Sequence, residues 1–217
     1  MSQSLVSVNS TGLAEGERLL VVFLLDHSGS MGNLVPETDH PPTTRIRVLV
    51  ETHNRFLSEL LSHERVDQIR YARSFFNNTL AAHISVNRLK DVKLVEADEC
   101  YPHGDTALLD AIGNTIQGIE HILAQKPHYR HIYLVIMTDG KENASRRFSR
   151  DQIRSMIEQK QKDGWVIEFF GASADVFKQA QDMGIPAHQT QAWDASSCST
   201  VATHRHTTVV INHLTKS

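Results

Sequence analysis

The sequence predicts a doubly wound α/β fold: a mostly parallel central sheet with an antiparallel edge hairpin and helices on both faces. Three observations carry this prediction. Apolar runs of strand length end abruptly in polar residues, segments of helical period separate them, and one stretch alternates as a half-exposed strand does.

The first run, residues 19–25, is apolar without interruption and stops at Asp26, so both faces of its strand must be buried. Residues 131–138 repeat the pattern and stop at Asp139. Residues 165–170 stop at Gly171. Leu49, His53, Phe56, Leu57 and Leu60 share one helical face, and Leu109, Ile112, Ile116, Ile119 and Leu123 share another. A third helix is predicted from Ser149, whose spacing to Gln152 offers a capping box, up to Gly164. A shorter one spans residues 175–183, before Gly184 and Pro186. In residues 66–86, Ile69, Tyr71 and Phe75 alternate with polar neighbours. Asn77-Asn78 then reads as a tight turn before a second strand at 80–86. Val201, Thr208, Ile211 and Leu214 recur at helical intervals and predict a C-terminal helix at 196–215. The 217 residues allow one large domain or two small ones, and the lack of a repeat or low-complexity linker favours a single domain over 1–217.

Formal net charge is −3, and no stripe of Lys or Arg is present to neutralise a run of phosphates, which argues against nucleic acid. No apolar run approaches membrane-spanning length, and residues 1–17 are polar, so no membrane partner and a cytoplasmic location are expected. Cys100 and Cys198 make neither a metal-ligand spacing nor a disulfide framework. The 13 histidines include His27 and His103 near the strand-end motifs, but His204 and His206 would point to different sides of a helix. Solvated or packing roles suit them best.

Ligands in open α/β sheets bind beyond the carboxyl ends of the strands. Asp26 and Asp139 both follow buried runs, so the sheet brings two carboxylates together from distant parts of the chain. After Asp26, hydroxyls recur at Ser28 and Ser30, while Gly29 and Gly32 let the backbone bend. On an extended or gently curving segment, residues two apart face the same way. Such oxygen groups suit a hard cation, with magnesium the default. Two carboxylates and neutral hydroxyls leave the ion short of negative charge, so it would welcome an anionic oxygen from outside.

At these residues the chain resembles von Willebrand factor A domains. Asp26-His27-Ser28-Gly29-Ser30 is similar to their Asp-x-Ser-x-Ser signature, Gly104-Asp105-Thr106-Ala107-Leu108 to their threonine loop, and Thr138-Asp139-Gly140 to their second aspartate. The resemblance spans about residues 19–195 and is close to small stand-alone bacterial members in Phe23-Leu24-Leu25-Asp26, Thr138 to Ser145 and Gly184-Ile185-Pro186. It implies a Rossmann-like fold and a metal ion-dependent adhesion site. There Ser28, Ser30 and Thr106 ligate Mg2+ (or Mn2+) through hydroxyls, and Asp26 and Asp139 act directly or through water. An open position would take a Glu or Asp of a protein partner, with AAA+ ATPase systems as a family association. His27, Gly104, Asp105, Lys141 and Glu142 would lie on the partner-binding rim. Residues 35–47 look longer than the family's usual link.

Three other readings compete with this one. The hydroxyls of Ser28, Ser30 and Thr106 can merely satisfy loop and helix-terminal backbone groups. An Asp after a first strand can be the nucleophile of a magnesium-dependent phosphohydrolase, although Ser28 stands where a second carboxylate would be wanted. A serine-hydrolase elbow fails because Ser30 lacks the Gly-x-Ser-x-Gly setting. Finally, residues 35–47 can form the binding face of a metal-independent scaffold. The expectation is a non-enzymatic interaction module.

Overall fold

A computed structural model describes residues 18–35, 43–79, 84–139, 142–171 and 175–192. Its strands are β1 (Arg18–Asp26), β2 (Ile69–Phe76), β3 (Asn87–Arg88), β4 (Tyr129–Thr138), β5 (Val166–Gly171) and β6 (Thr190–Ala192). Its helices are α1 (Arg45–Leu61), α2 (Leu108–Gln125), α3 (Arg150–Lys162) and α4 (Val176–Asp182). The sheet order is β3-β2-β1-β4-β5-β6, parallel throughout except where β3 runs against β2. This is the predicted doubly wound arrangement. The chain winds outward in one direction from β1 to β2 and in the other from β4 to β6, so the crevice for a ligand lies where β1 meets β4.

Alternation along β1 divides the core. Leu19, Val21, Phe23 and Leu25 pack with α1 through Phe56, Leu57 and Leu60, while Leu20, Val22 and Leu24 pack with α2 and α3 through Ile112, Ile116, Ile153 and Ile157. Each face of the strand therefore buries a helical stripe, which is why the run 19–25 has no polar residue. Phe23 meets the rings of His53, Phe56 and Tyr71 at centroid distances of 4.9, 5.1 and 5.9 Å.

One polar chain runs through this layer. Tyr71 OH donates to Nε2 of fully buried His53, whose Nδ1–H donates to Asn54 Oδ1 at 3.1 Å. Asn54 in turn exchanges hydrogen bonds with the Val95 backbone, donating to its carbonyl at 2.8 Å and accepting from its amide at 2.9 Å. Burial pushes the His53 pKa down to about 4, so the ring is neutral and fits this donor pattern. The relay fastens the loop before α2 onto α1.

Local signals placed most element ends. Ser149 and Gln152 close a reciprocal capping box on α3, at 2.8 and 3.3 Å. Gly164 (φ +88°) and Gly184 (φ +80°) follow α3 and α4 in the left-handed region. Three details differ from expectation. Helix α1 starts at Arg45, a turn before the stripe beginning at Leu49, because Ile46 and Val48 are also buried. The antiparallel partner of β2 is Asn87–Arg88, pairing Arg70 with Arg88 and Tyr71 with Asn87; residues 84–86 carry no strand, and Asn77 is not the tip of a tight hairpin. Strand β6 is too short to leave a periodicity. The helix predicted at 196–215, and residues 36–42 of the long link, lie outside the described residues.

Candidate metal centre at the carboxyl edge of the sheet

Asp26 closes β1 and Thr138 closes β4, so the two sit side by side at the crevice. Asp26 is fully buried. Its Oδ1 accepts from the Ser28 amide at 2.7 Å and its Oδ2 from Thr138 Oγ1 at 2.5 Å. Burial pushes its pKa up from 3.8 to about 6, an effect reduced by those hydrogen bonds and increased by the charge of Asp139.

The signature loop continues as a single 3-10 turn, Gly29–Gly32, closed by a bond from the Met31 amide to the Ser28 carbonyl at 3.0 Å. The segment is therefore tightly turned, where an extended or gently curving course was expected, because buried Met31 draws the chain back into the core. The hydroxyls still converge. Ser28 Oγ lies 3.2 Å from Ser30 Oγ, and Ser30 Oγ donates to Asp139 Oδ1 at 2.8 Å. The other oxygen of Asp139 accepts from the Arg45 guanidinium.

Thr106 is buried on an adjoining loop. That loop is tied to the signature loop by Gly29 N–H donating to the Gly104 carbonyl at 2.9 Å and His103 N–H donating to the His27 carbonyl at 3.0 Å. A Cβ on Gly29 would stand 3.2 Å from the Gly104 carbonyl oxygen, and one on Gly104, whose φ is +73°, would stand 2.7 Å from Asn78 Oδ1. Both glycines permit the loops to touch. Buried Asn77 completes the tie: its Nδ2 donates to the His103 carbonyl at 3.0 Å and its own carbonyl accepts from the Ala107 amide at 2.8 Å.

With this geometry in view, comparison with known proteins is decisive. The sequence model of the von Willebrand factor type A domain matches residues 21–204. The chain belongs to this family. No curated protein matches it by sequence. Among solved structures, the chain is similar to the PilB minor pilin of Streptococcus sanguinis (TM-score 0.61, 14% identity, covering 91% of this chain and 62% of that one). It is similar also to the vWF domain of the pili tip protein Mfa5 of Porphyromonas gingivalis (0.64, 10%, covering 94% and 98%). A third is the SpRpn10 VWA domain (0.54, 11%, covering 80% and 85%). The chain thus spans about three fifths of the PilB chain it matches, and at these identities the likeness is one of fold.

Within the VWA domain, Asp26, Ser28, Ser30 and Asp139 form one hydrogen-bonded group, with Thr106 on the loop beside it. Among the described residues no three His, Cys, Asp or Glu converge. The donor set is two carboxylates plus hydroxyls, all oxygen, and so fits a hard cation better than a borderline or soft one. One of its carboxylates, Asp139, is already paired with the Arg45 guanidinium.

The rim residues divide. His27 is half-buried and donates from Nδ1 to the Phe76 carbonyl at 3.0 Å, its ring edge against His103 at 5.1 Å; Gly104 and Asp105 are exposed; Lys141 lies outside the described residues. Glu142 is turned inward. Its Oε1 accepts from the Ala144 and Ser145 amides at 3.0 and 2.7 Å, and its Oε2 from the Leu109 amide at 2.9 Å and Ser145 Oγ at 2.8 Å. Helix α2 has no side-chain cap of its own on Ala107, so Glu142 and Ser145, which also accepts from the Asp110 amide at 3.0 Å, cap it from a distant loop. Glu142→Ala is accordingly expected to cost about 2 kcal/mol in urea unfolding, since several donors lose their acceptor; a loss under about 0.5 kcal/mol would contradict this capping role.

Sequence reading assigns no site role to Arg45 or Asn77, shows Thr138 only as part of a motif, and places Asn143 on the rim after Asp139, where it instead braces Thr106. Asn143 accepts from the Thr106 amide through Oδ1 at 2.8 Å and donates its own amide to the Thr106 carbonyl at 3.1 Å.

Proposed function

We propose that this VWA domain is a non-enzymatic interaction module that binds a divalent cation, Mg2+ or Mn2+, through Asp26, Ser28, Ser30, Thr106 and Asp139 and takes up an acidic group of a protein partner. One observation carries the reading: the run of oxygens Ser28–Ser30–Asp139, backed by buried Asp26, at the point where the sheet reverses its winding. When bound, the cation would act as a Lewis acid with a coordination position for a carboxylate oxygen. The chain's own part is to hold the hydroxyls in register by the tight turn 29–32 and the loop tie through Gly104, with buried Asp26 behind them.

A phosphohydrolase is disfavoured because Asp26 has no exposed surface and both its oxygens already accept hydrogen bonds, which leaves little access for a nucleophilic attack. A cytoplasmic setting belongs to the same proposal, supported by a sequence without a disulfide framework. Among the described residues no helix is long and apolar enough to cross a membrane. AAA+ ATPase systems are the first partners to try.

Calorimetric titration tests the reading. Wild-type protein is expected to bind Mg2+ or Mn2+ at one site, and Thr106→Ala, which removes a ligating hydroxyl, to bind at least about tenfold more weakly, since even the loss of an outer partner of a ligand commonly costs that much. Absence of binding by the wild type would end the proposal. Partner capture undiminished by excess EDTA would remove the bridging role while leaving the ion in place.

A further inference from the structure

Arg45 is the first residue of α1, and the first turn of that helix holds no acidic residue. A cation there opposes the positive end of the helix dipole, so helix stability gives no reason for it. Arg47, two residues on, points elsewhere and pairs with Asp98 in solvent. Arg45 instead reaches Asp139, whose side chain has no solvent exposure, and its guanidinium takes one carboxylate oxygen while Ser30 takes the other. Its own side chain keeps 28% exposure, while its backbone amide is fixed to the Asn33 carbonyl at 3.0 Å. The helix end is anchored, while the side chain remains part-exposed.

We infer that Arg45 is the built-in counter-cation of this centre: it neutralises Asp139 in the ion-free protein and must yield that oxygen when a divalent cation binds, so it sets the affinity for the ion. This rests on the metal reading above. Burying a carboxylate without a cation is costly, which favours the pair when no ion is present. A dication and a guanidinium on one carboxylate repel, which favours release when an ion arrives. Released at the rim, Arg45 adds positive charge beside the position open to an acidic partner.

Manganese titrations of the wild type, Arg45→Gln and Arg45→Lys, with thermal unfolding of each in EDTA and in saturating Mn2+, test the inference. Arg45→Gln is expected to bind Mn2+ at least about fivefold more tightly than wild type and to melt lower in EDTA, with the melting difference shrinking when Mn2+ saturates. Arg45→Lys, which keeps the charge, should stay nearer to wild type. Equal or weaker Mn2+ affinity in Arg45→Gln would overturn the inference and leave the metal centre standing. No Mn2+ binding by any of the proteins would overturn both.

Discussion

Asp26→Asn is expected to abolish divalent-cation binding and, at the same time, to make the ion-free protein more stable at neutral pH. The two effects share one cause. The Asp26 carboxyl is buried and its pKa stands near 6, against 3.8 in an unfolded chain. Below about pH 4 it is protonated in both states and contributes no difference. Between pH 4 and 6 the folded protein holds a proton that the unfolded chain has released, so stability falls as pH rises. Above pH 6 the full cost of a buried charge is present, about 3 kcal/mol. Asparagine never carries that charge, and its amide can still accept from the Ser28 amide. Urea unfolding in EDTA from pH 4 to 7 should therefore show a decline in the wild type that is missing from Asp26→Asn. Parallel profiles would show that Asp26 is not the group responsible. Added Mg2+ should restore the wild type at pH 7 and leave the variant unchanged.

Phe23→Ala carries the largest expected loss of stability, about 3–5 kcal/mol, as for other large aromatic residues removed from a core. Phe23 is 1% exposed and touches three rings from α1 and β2, so the hole would open between the sheet and its helix. The buried relay Tyr71–His53–Asn54 lies against that hole and would be reached by water. In thermal denaturation the shift should be about 6–20 °C for a domain of this size. A shift of only a degree or two would mean that α1 closes over the gap.

The fold was legible wherever burial on both faces imposed a pattern. Residues 19–25 and 131–138 could be placed as central strands because a strand between two helical layers is apolar on both faces over most of its length, and Ser149 with Gln152 marked α3 through a purely local contact. The edge was less legible, because Asn87–Arg88 is exposed on both faces and two residues have no period. The same contrast governs the candidate site. Asp26, Ser28, Ser30, Thr106 and Asp139 stood out by following strands or preceding a helix. Arg45 lies 94 residues from the carboxylate it pairs with, and Glu142 lies 33 from the amide it caps, so no window along the chain joins them. Their roles exist only in three dimensions. The direction of Glu142 is the clearest example, since a loop carboxylate beside a binding motif reads as outward-facing until its four donors are seen.

The two halves of this centre are built from material of unequal firmness. Asp26 and Thr138 end the two innermost strands, which open only when the whole domain does. Ser30, Thr106 and the Glu142 brace sit on loops held by a few hydrogen bonds, and such segments open far more often. An ion's entry and departure would thus be timed by the loops, at no expense to the sheet.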